Sequence, residues 1–162
     1  MTLREISLTL PNRPGTLAGV ARVLAEARIN LAAVSVDSTS GKGRVRLIVS
    51  QPDRAVELLS ATGYPTEVRE MIAVRLEDRA GSFLRVLELL ARSKVNLQSV
   101  AILVARDGNL PVVAFSTSNV DRARAVLAKG GFTSNGSEGL LTNSDLLAGV
   151  PTVPSESVGL LL

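Results

Sequence analysis

The chain contains no cysteine, no histidine and no tryptophan, and only three phenylalanines and one tyrosine. Each absence removes a class of chemistry. Without cysteine there is no disulfide framework, no thiolate nucleophile and no thiolate metal site. Without histidine, the commonest general base near neutral pH and the commonest transition-metal ligand are both missing. With so few rings the core has to be built from Val, Leu, Ile and Ala, and recognition of RNA by base stacking has almost nothing to work with. No stretch approaches the ~20 apolar residues of a membrane span. Met1–Glu5 lacks the basic-then-apolar pattern of a secretory leader. The expectation is a cytoplasmic protein with no metal, no cofactor and no catalytic residues, associated with neither nucleic acid nor membrane.

Charge is sparse and mixed. The formal net charge is +3, and the last 29 residues hold three acids (Glu138, Asp145, Glu156) and no base, which leaves +6 over residues 1–133. The excess is scattered, as on solvated helix faces, and does not form a basic tract.

What the chain does have is one stretch written twice. Asn12-Arg13-Pro14-Gly15-Thr16-Leu17-Ala18-Gly19-Val20 returns 66 residues later as Asp78-Arg79-Ala80-Gly81-Ser82-Phe83-Leu84-Arg85-Val86. Each copy follows an alternating strand pattern, with Ile6, Leu8 and Leu10 matched by Ile72, Val74 and Leu76. Each opens an amphipathic helix, with Leu17, Val20, Ala21 and Leu24 matched by Phe83, Val86, Leu87 and Leu90. Pro14 reads as the first helical position. A strand, a glycine turn and a helix start leave backbone N–H groups without helical partners, at the end of the dipole that favours an anion. That loop reads as the ligand-binding end of each repeat, with the amides of Gly15, Thr16 and Leu17 as its donors.

The rest of the pattern also repeats. Ile29-Asn30-Leu31 matches Val95-Asn96-Leu97, and Gly63-Tyr64 matches Gly131-Phe132. The element order is strand, helix, strand, strand, helix, strand, twice over, and a match this long reads as internal duplication. It predicts an α+β fold of two ferredoxin-like βαββαβ units with abutting antiparallel sheets and helices on one face. The units fall at residues 1–69 and 70–133. No Gly or Pro interrupts Thr66–Leu76, so the sheets are expected to meet edge to edge or share a bent strand. The last strand of the second unit, at Phe132 and Thr133, reads as short or missing. Residues 134–162 read as a mobile, low-charge tail, with Asn143–Asp145 able to cap a short helix.

These segments, Leu-Pro-Asn-Arg-Pro-Gly-Thr-Leu with Ile-Asn-Leu and Leu-Glu-Asp-Arg-Ala-Gly-Ser-Phe with Val-Asn-Leu, resemble ACT domains, the small amino-acid-sensing modules of metabolic regulation. The first copy is similar to the serine-sensing domain of phosphoglycerate dehydrogenase, although Leu10 stands where those domains carry a histidine. In the second copy Ala80 replaces the usual proline. The resemblance implies an effector amino acid held between two domains, by the loop before the first helix of one and the start of the second strand of the other. The matching positions are Asn12, Pro14, Gly15 and Thr16 with Asn30 and Leu31, and Asp78, Gly81 and Ser82 with Asn96 and Leu97. A zwitterion suits such a site: amides for its carboxylate, asparagine and main-chain oxygens for its ammonium.

Each of these residues also has a plain structural reading. Asn12 and Asp78 are good helix caps, Gly15 and Gly81 good turn formers, and Asn30 and Asn96 good helix terminators. Thr16 and Ser82 read better as secondary caps, and Met71 as core. The reading carried forward is a non-catalytic, homodimeric regulatory protein that senses a small amino acid between its repeats and conveys that state to a regulated enzyme. Two alternatives stand beside it: an ACT-type dimerisation module without ligand, and an enzyme using carboxylates alone.

Overall fold

A computed structural model describes residues 3–39, 41–103, 111–132 and 139–141. In these residues the order is β1 (Leu3–Pro11), α1 (Thr16–Glu26), β2 (Leu31–Thr39), β3 (Lys42–Val49), α2 (Pro52–Ala61), β4 (Thr66–Arg75), α3 (Ser82–Arg92), β5 (Leu97–Leu103), β6 (Val112–Thr117), α4 (Val120–Lys129) and β7 (Gly139–Leu141). Among the described residues no helix is long and apolar enough to cross a membrane.

The two units are joined through one strand. The first half of β4 pairs with β1, Met71–Thr66 lying antiparallel to Leu3–Leu8. Its second half pairs with β6, Ile72–Arg75 opposite Phe115–Val112. A single sheet results, in the order β2-β3-β1-β4-β6-β5. Of the two expected arrangements, the shared strand is the one found, and the expected division at residue 69 falls inside β4.

The closing strand of the second unit is not at Phe132. That side chain is fully buried, and its N–H ends α4 on the Leu127 carbonyl at 3.0 Å. The strand is β7, which pairs Gly139–Leu141 with Arg75–Ala73 of β4. It comes from the segment expected to be a mobile tail. The reason is burial: Leu140 packs on the second unit's core and Leu141 on the cluster between the sheet halves. The remaining expectations for the tail, including the cap at Asn143–Asp145, lie outside the described residues.

Alternation builds the core. Ile6, Leu8, Leu10, Val45, Leu47 and Val49 point to α1 and α2, where Val20, Leu24, Ala55 and Leu59 meet them. The second unit repeats this with Ile72, Val74, Val113 and Phe115 beneath α3 and α4. A third cluster lies on the helix-free face and takes members from both units: Leu3, Ile48 and Met71 with Ala73, Leu103, Val112 and Ala114. The expectation of one buried face per strand is therefore incomplete. The sheet curls about β4 until its helix-free faces meet, with the helices outside and the edge strands β2 and β5 side by side. Met71 is core, as expected, at 1% exposure.

The helices end by a device that changes the reading of the asparagines. After α1, the left-handed residue is Arg28 (φ 57°), and the Ile29 N–H returns to the Leu24 carbonyl at 2.9 Å. After α3, it is Lys94 (φ 54°), with Val95 N–H on Leu90 at 2.9 Å. These are αL terminations, and they sit two residues before Asn30 and Asn96.

Candidate functional site

The two glycine loops share their turn hydrogen bonds. Arg13 N–H donates to Pro11 O and Arg79 N–H to Glu77 O, both at 2.9 Å. Thr16 N–H donates to Arg13 O and Ser82 N–H to Arg79 O, both at 3.2 Å. Gly15 and Gly81 are the N-cap residues, at φ +86° and +92°, a region that side chains with a Cβ avoid. Neither cap receives a side-chain hydrogen bond.

This geometry corrects three expectations. The first helix begins at Thr16, so Pro14 lies in the turn and not at the first helical position. Asn12 and Asp78 stand three residues before the cap and cap nothing. The Thr16 amide is taken by Arg13, so it is not among the open donors. Among the described residues, those without an acceptor are Gly15, Leu17 and Ala18, and in the second copy Gly81, Phe83 and Leu84.

The polar side chains are local. Asn12 receives its loop through backbone N–H to Gly41 O at 3.0 Å, and its Nδ2 donates to Ser38 Oγ at 2.8 Å. Its Oδ1, the acceptor an ammonium would need, has no hydrogen-bond partner among the described residues. Asp78 is exposed, with no partner among the described residues, between Glu77 and Arg79, whose side chains pair at 2.8 Å. Asn30 is tied by its backbone to Ser50, N–H to Oγ at 3.1 Å and O from Ser50 N–H at 2.9 Å. Asn96 is exposed. Leu31 is also exposed, at 39%, and Leu97 is half-buried against the second core. No hydrogen bond among the described residues joins Asn12 to Asn96; each loop is fastened within its own unit.

Thr16 and Ser82 differ. Thr16 is half-buried, whereas Ser82 is 5% exposed and its Oγ has no hydrogen-bond partner. Ser82 lines a hollow of about 280 Å³ with Arg79, Gly81 and Arg85. A buried hydroxyl without a partner is costly, so the second loop carries an unmet polar demand at the open end of α3.

The units also meet at a place that the repeat pattern did not bring forward. A cleft of about 340 Å³ lies where β2 passes β5, lined by Glu5, Val34, Arg46 and Ile48 from the first unit and Val100 and Ile102 from the second. Glu5 was available to sequence reasoning only through alignment of the copies, where it falls opposite the core residue Met71.

The family model of the ACT domain pair matches residues 1–138. The chain belongs to the ACT domain pair family. A comparison with curated proteins finds no match. Among solved structures, protein BT0572 from Bacteroides thetaiotaomicron is similar at 27% identity and a TM-score of 0.79, over 90% of this chain and 96% of that one. The ligand-free regulatory subunit of aspartate kinase from Thermus thermophilus is similar in fold, at 15% identity and a TM-score of 0.60, over 80% of this chain and 93% of that one. The Thermus flavus regulatory subunit of aspartate kinase gives 14% identity and a TM-score of 0.58, over 81% and 94%. For this ACT pair the two-unit α+β architecture is thus that of its family.

Proposed function

We infer that this ACT pair is a non-catalytic regulatory protein that binds a small amino acid at its glycine loops, between repeats, and passes the bound state to a regulated enzyme. One observation carries the reading. The ordinary tasks of the loop asparagines and Asp78 are done by other residues: Gly15 and Gly81 occupy the caps, and Arg28 and Lys94 end the helices. Asn12 and Asp78 keep acceptors without a partner among the described residues, in the same loops as open helical amides, and acceptors with amide donors are what a zwitterion needs.

The test is a thermal-shift screen against the twenty amino acids, followed by calorimetry. Ligand at about 100 times its Kd stabilises by ~2.7 kcal/mol. For a chain of this size that raises Tm by roughly 5–10 °C. Asn12→Ala should then weaken the ligand, and should couple to Asn96→Ala if the two hold one molecule. A screen in which no amino acid moves Tm by more than about 1–2 °C sinks the reading.

A second reading, the ligand-free dimerisation module, draws on exposed apolar side chains: Leu17, Leu31, Val34 and Val36 in one unit and Leu84, Val100 and Ile102 in the other. It requires a homodimer whose Kd weakens when Val36 and Ile102 become lysine. A chain that sediments as a monomer at all concentrations would exclude it.

A further inference from the structure

β3 is an interior strand, flanked by β2 and β1. Its helix-free face starts at the buried Ile48 and continues in steps of two through Arg46, Arg44 and Lys42. Three cations therefore stand in one row, about 7 Å from one to the next. Cations on an edge strand blunt it against unwanted pairing, but β3 has a neighbour on each side. Like charges on one face repel, and the neighbouring strands give little relief. Opposite Arg44 stand Thr9 on β1 and Asp37 on β2. Asp37 Oδ2 accepts from Arg46 Nη1 at 2.6 Å. The side chains of Lys42 and Arg44 are exposed and make no hydrogen bond or ion pair among the described residues.

These five residues, Thr9, Asp37, Lys42, Arg44 and Arg46, line a hollow of about 300 Å³. Three cations against one carboxylate leave it a charge of +2. Arg44 presents a planar fork that fits two oxygens of one phosphate, Lys42 a compact charge for a second, and Thr9 a hydroxyl donor. No aromatic ring lines the hollow, so a base attached to the phosphates would have nothing to stack on.

The duplication supplies a control within the chain. Through the matched strand registers, Arg44 corresponds to Val112 and Arg46 to Ala114, both buried in the cluster between the sheet halves. The second unit closes this face by packing. The first leaves it open and cationic, and all five lining residues belong to that unit.

We propose that this face of the first unit binds a small polyanion with two linked phosphate groups, one per chain. Arg44 and Lys42 take the phosphates and the Thr9 hydroxyl donates to them. Asp37 holds Arg46 aside and limits the affinity by its own negative charge. The site does not rest on the role of the glycine loops, none of whose residues lines the hollow.

The experiment is calorimetry on the full chain at low ionic strength, without divalent cations, using inorganic pyrophosphate, ADP and adenosine as probes. Pyrophosphate should bind with a stoichiometry of one, ADP within about threefold of its affinity, and adenosine not at all. Arg44→Glu should weaken pyrophosphate roughly 10- to 100-fold, as expected when a charge-assisted hydrogen bond is lost. Arg44→Lys, which keeps the charge and loses the fork, should weaken it less. Asp37→Asn should tighten it by about 2- to 5-fold, which a variant that merely disturbed the fold would not do. Arg22→Glu makes the same change in net charge on an exposed position of α1, across the sheet from the hollow, and should stay within about twofold. No binding of pyrophosphate at about 10 mM overturns the proposal. So does binding that survives Arg44→Glu, or that Arg22→Glu weakens equally, since the net charge alone would then account for it. ADP binding without pyrophosphate binding overturns it as well, because the phosphates would not be what is recognised.

Discussion

Glu5→Met is the substitution whose outcome the structure constrains most tightly. It removes a carboxylate that is 3% exposed and unpartnered, and installs the residue already found at the equivalent place, Met71. Glutamate and methionine have similar lengths, so the change leaves no large cavity. An unpaired charge in a sealed site costs several kcal/mol. Here the oxygens still touch an open cleft, so the relief should lie lower, at about 1–3 kcal/mol. For a chain of this length that is a rise in Tm of roughly 2–10 °C. Urea denaturation near neutral pH should show a higher midpoint with an unchanged slope, the mark of altered stability without altered compactness. Glu67→Met, on the exposed part of β4, is the control and should stay within about 0.5 kcal/mol. A Glu5→Met protein no more stable than wild type, at unchanged slope, would mean that the carboxylate is adequately solvated. The reasoning about an unmet charge would then fail.

Further outcomes follow from single contacts. A Cβ on Gly19, within α1, would stand 2.7 Å from Tyr64 Oη but 3.9 Å from Tyr64 Cζ. Gly19→Ala should therefore cost stability alone and gain about 1 kcal/mol of helix propensity in a Tyr64→Phe background, and equal effects in both backgrounds would refute the clash. Gly81→Ala meets no atom within 4 Å, so its cost is backbone strain only, about 1–2 kcal/mol by urea denaturation; a neutral result would show that the loop relaxes. Arg4 grips Asp53 through two bonds of 2.6 Å, and these side-chain hydrogen bonds hold the Asp53 carboxyl below its ordinary 3.8. A lowered folded-state pKa means that the stabilisation is present above the unfolded value and is lost as pH falls through the folded one. Wild type and Asp53→Asn should accordingly differ near neutral pH and converge below the ordinary carboxylate range, and a difference that persists in acid would exclude the pair as its source.

Much of the fold was legible because duplication states each pattern twice. Ile6, Leu8 and Leu10 alternate, Ile72, Val74 and Leu76 alternate again, and both sets are buried against helices. The absence of Gly and Pro between Thr66 and Leu76 left sheets meeting edge to edge or sharing a bent strand, and β4 is a shared strand. The misses have physical causes. Strand periodicity reports one buried face, whereas curling of the sheet buries the second, so Ile48 and Ala114 came as additions. The closing strand β7 has three residues, too few for a periodic signal, and leucine alone does not distinguish a docked tail from a loose one. The cap assignments failed because Asn and Asp suit a helix start by chemistry, while the chain here turns through glycine at positive φ.

Duplication also explains why the candidate sites fall into two kinds. Where both copies kept a feature, as in the glycine loops, the proposed amino-acid site would occur twice per chain. Where the copies diverged, the repetition is broken and any site is single. The divergence is concentrated where the helix-free faces meet. There the second repeat gave Met71, Ala114 and Val112 to the shared cluster, and the first has Glu5, Arg46 and Arg44 at the matching places. A charge replaced by packing on one side of a pseudo-two-fold axis, and retained on the other, is hard to attribute to folding, since Met71 and Ala114 demonstrate the apolar solution in the same molecule. Of these three, Glu5 and Arg46 line the cleft between β2 and β5, and Arg44 lies outside it.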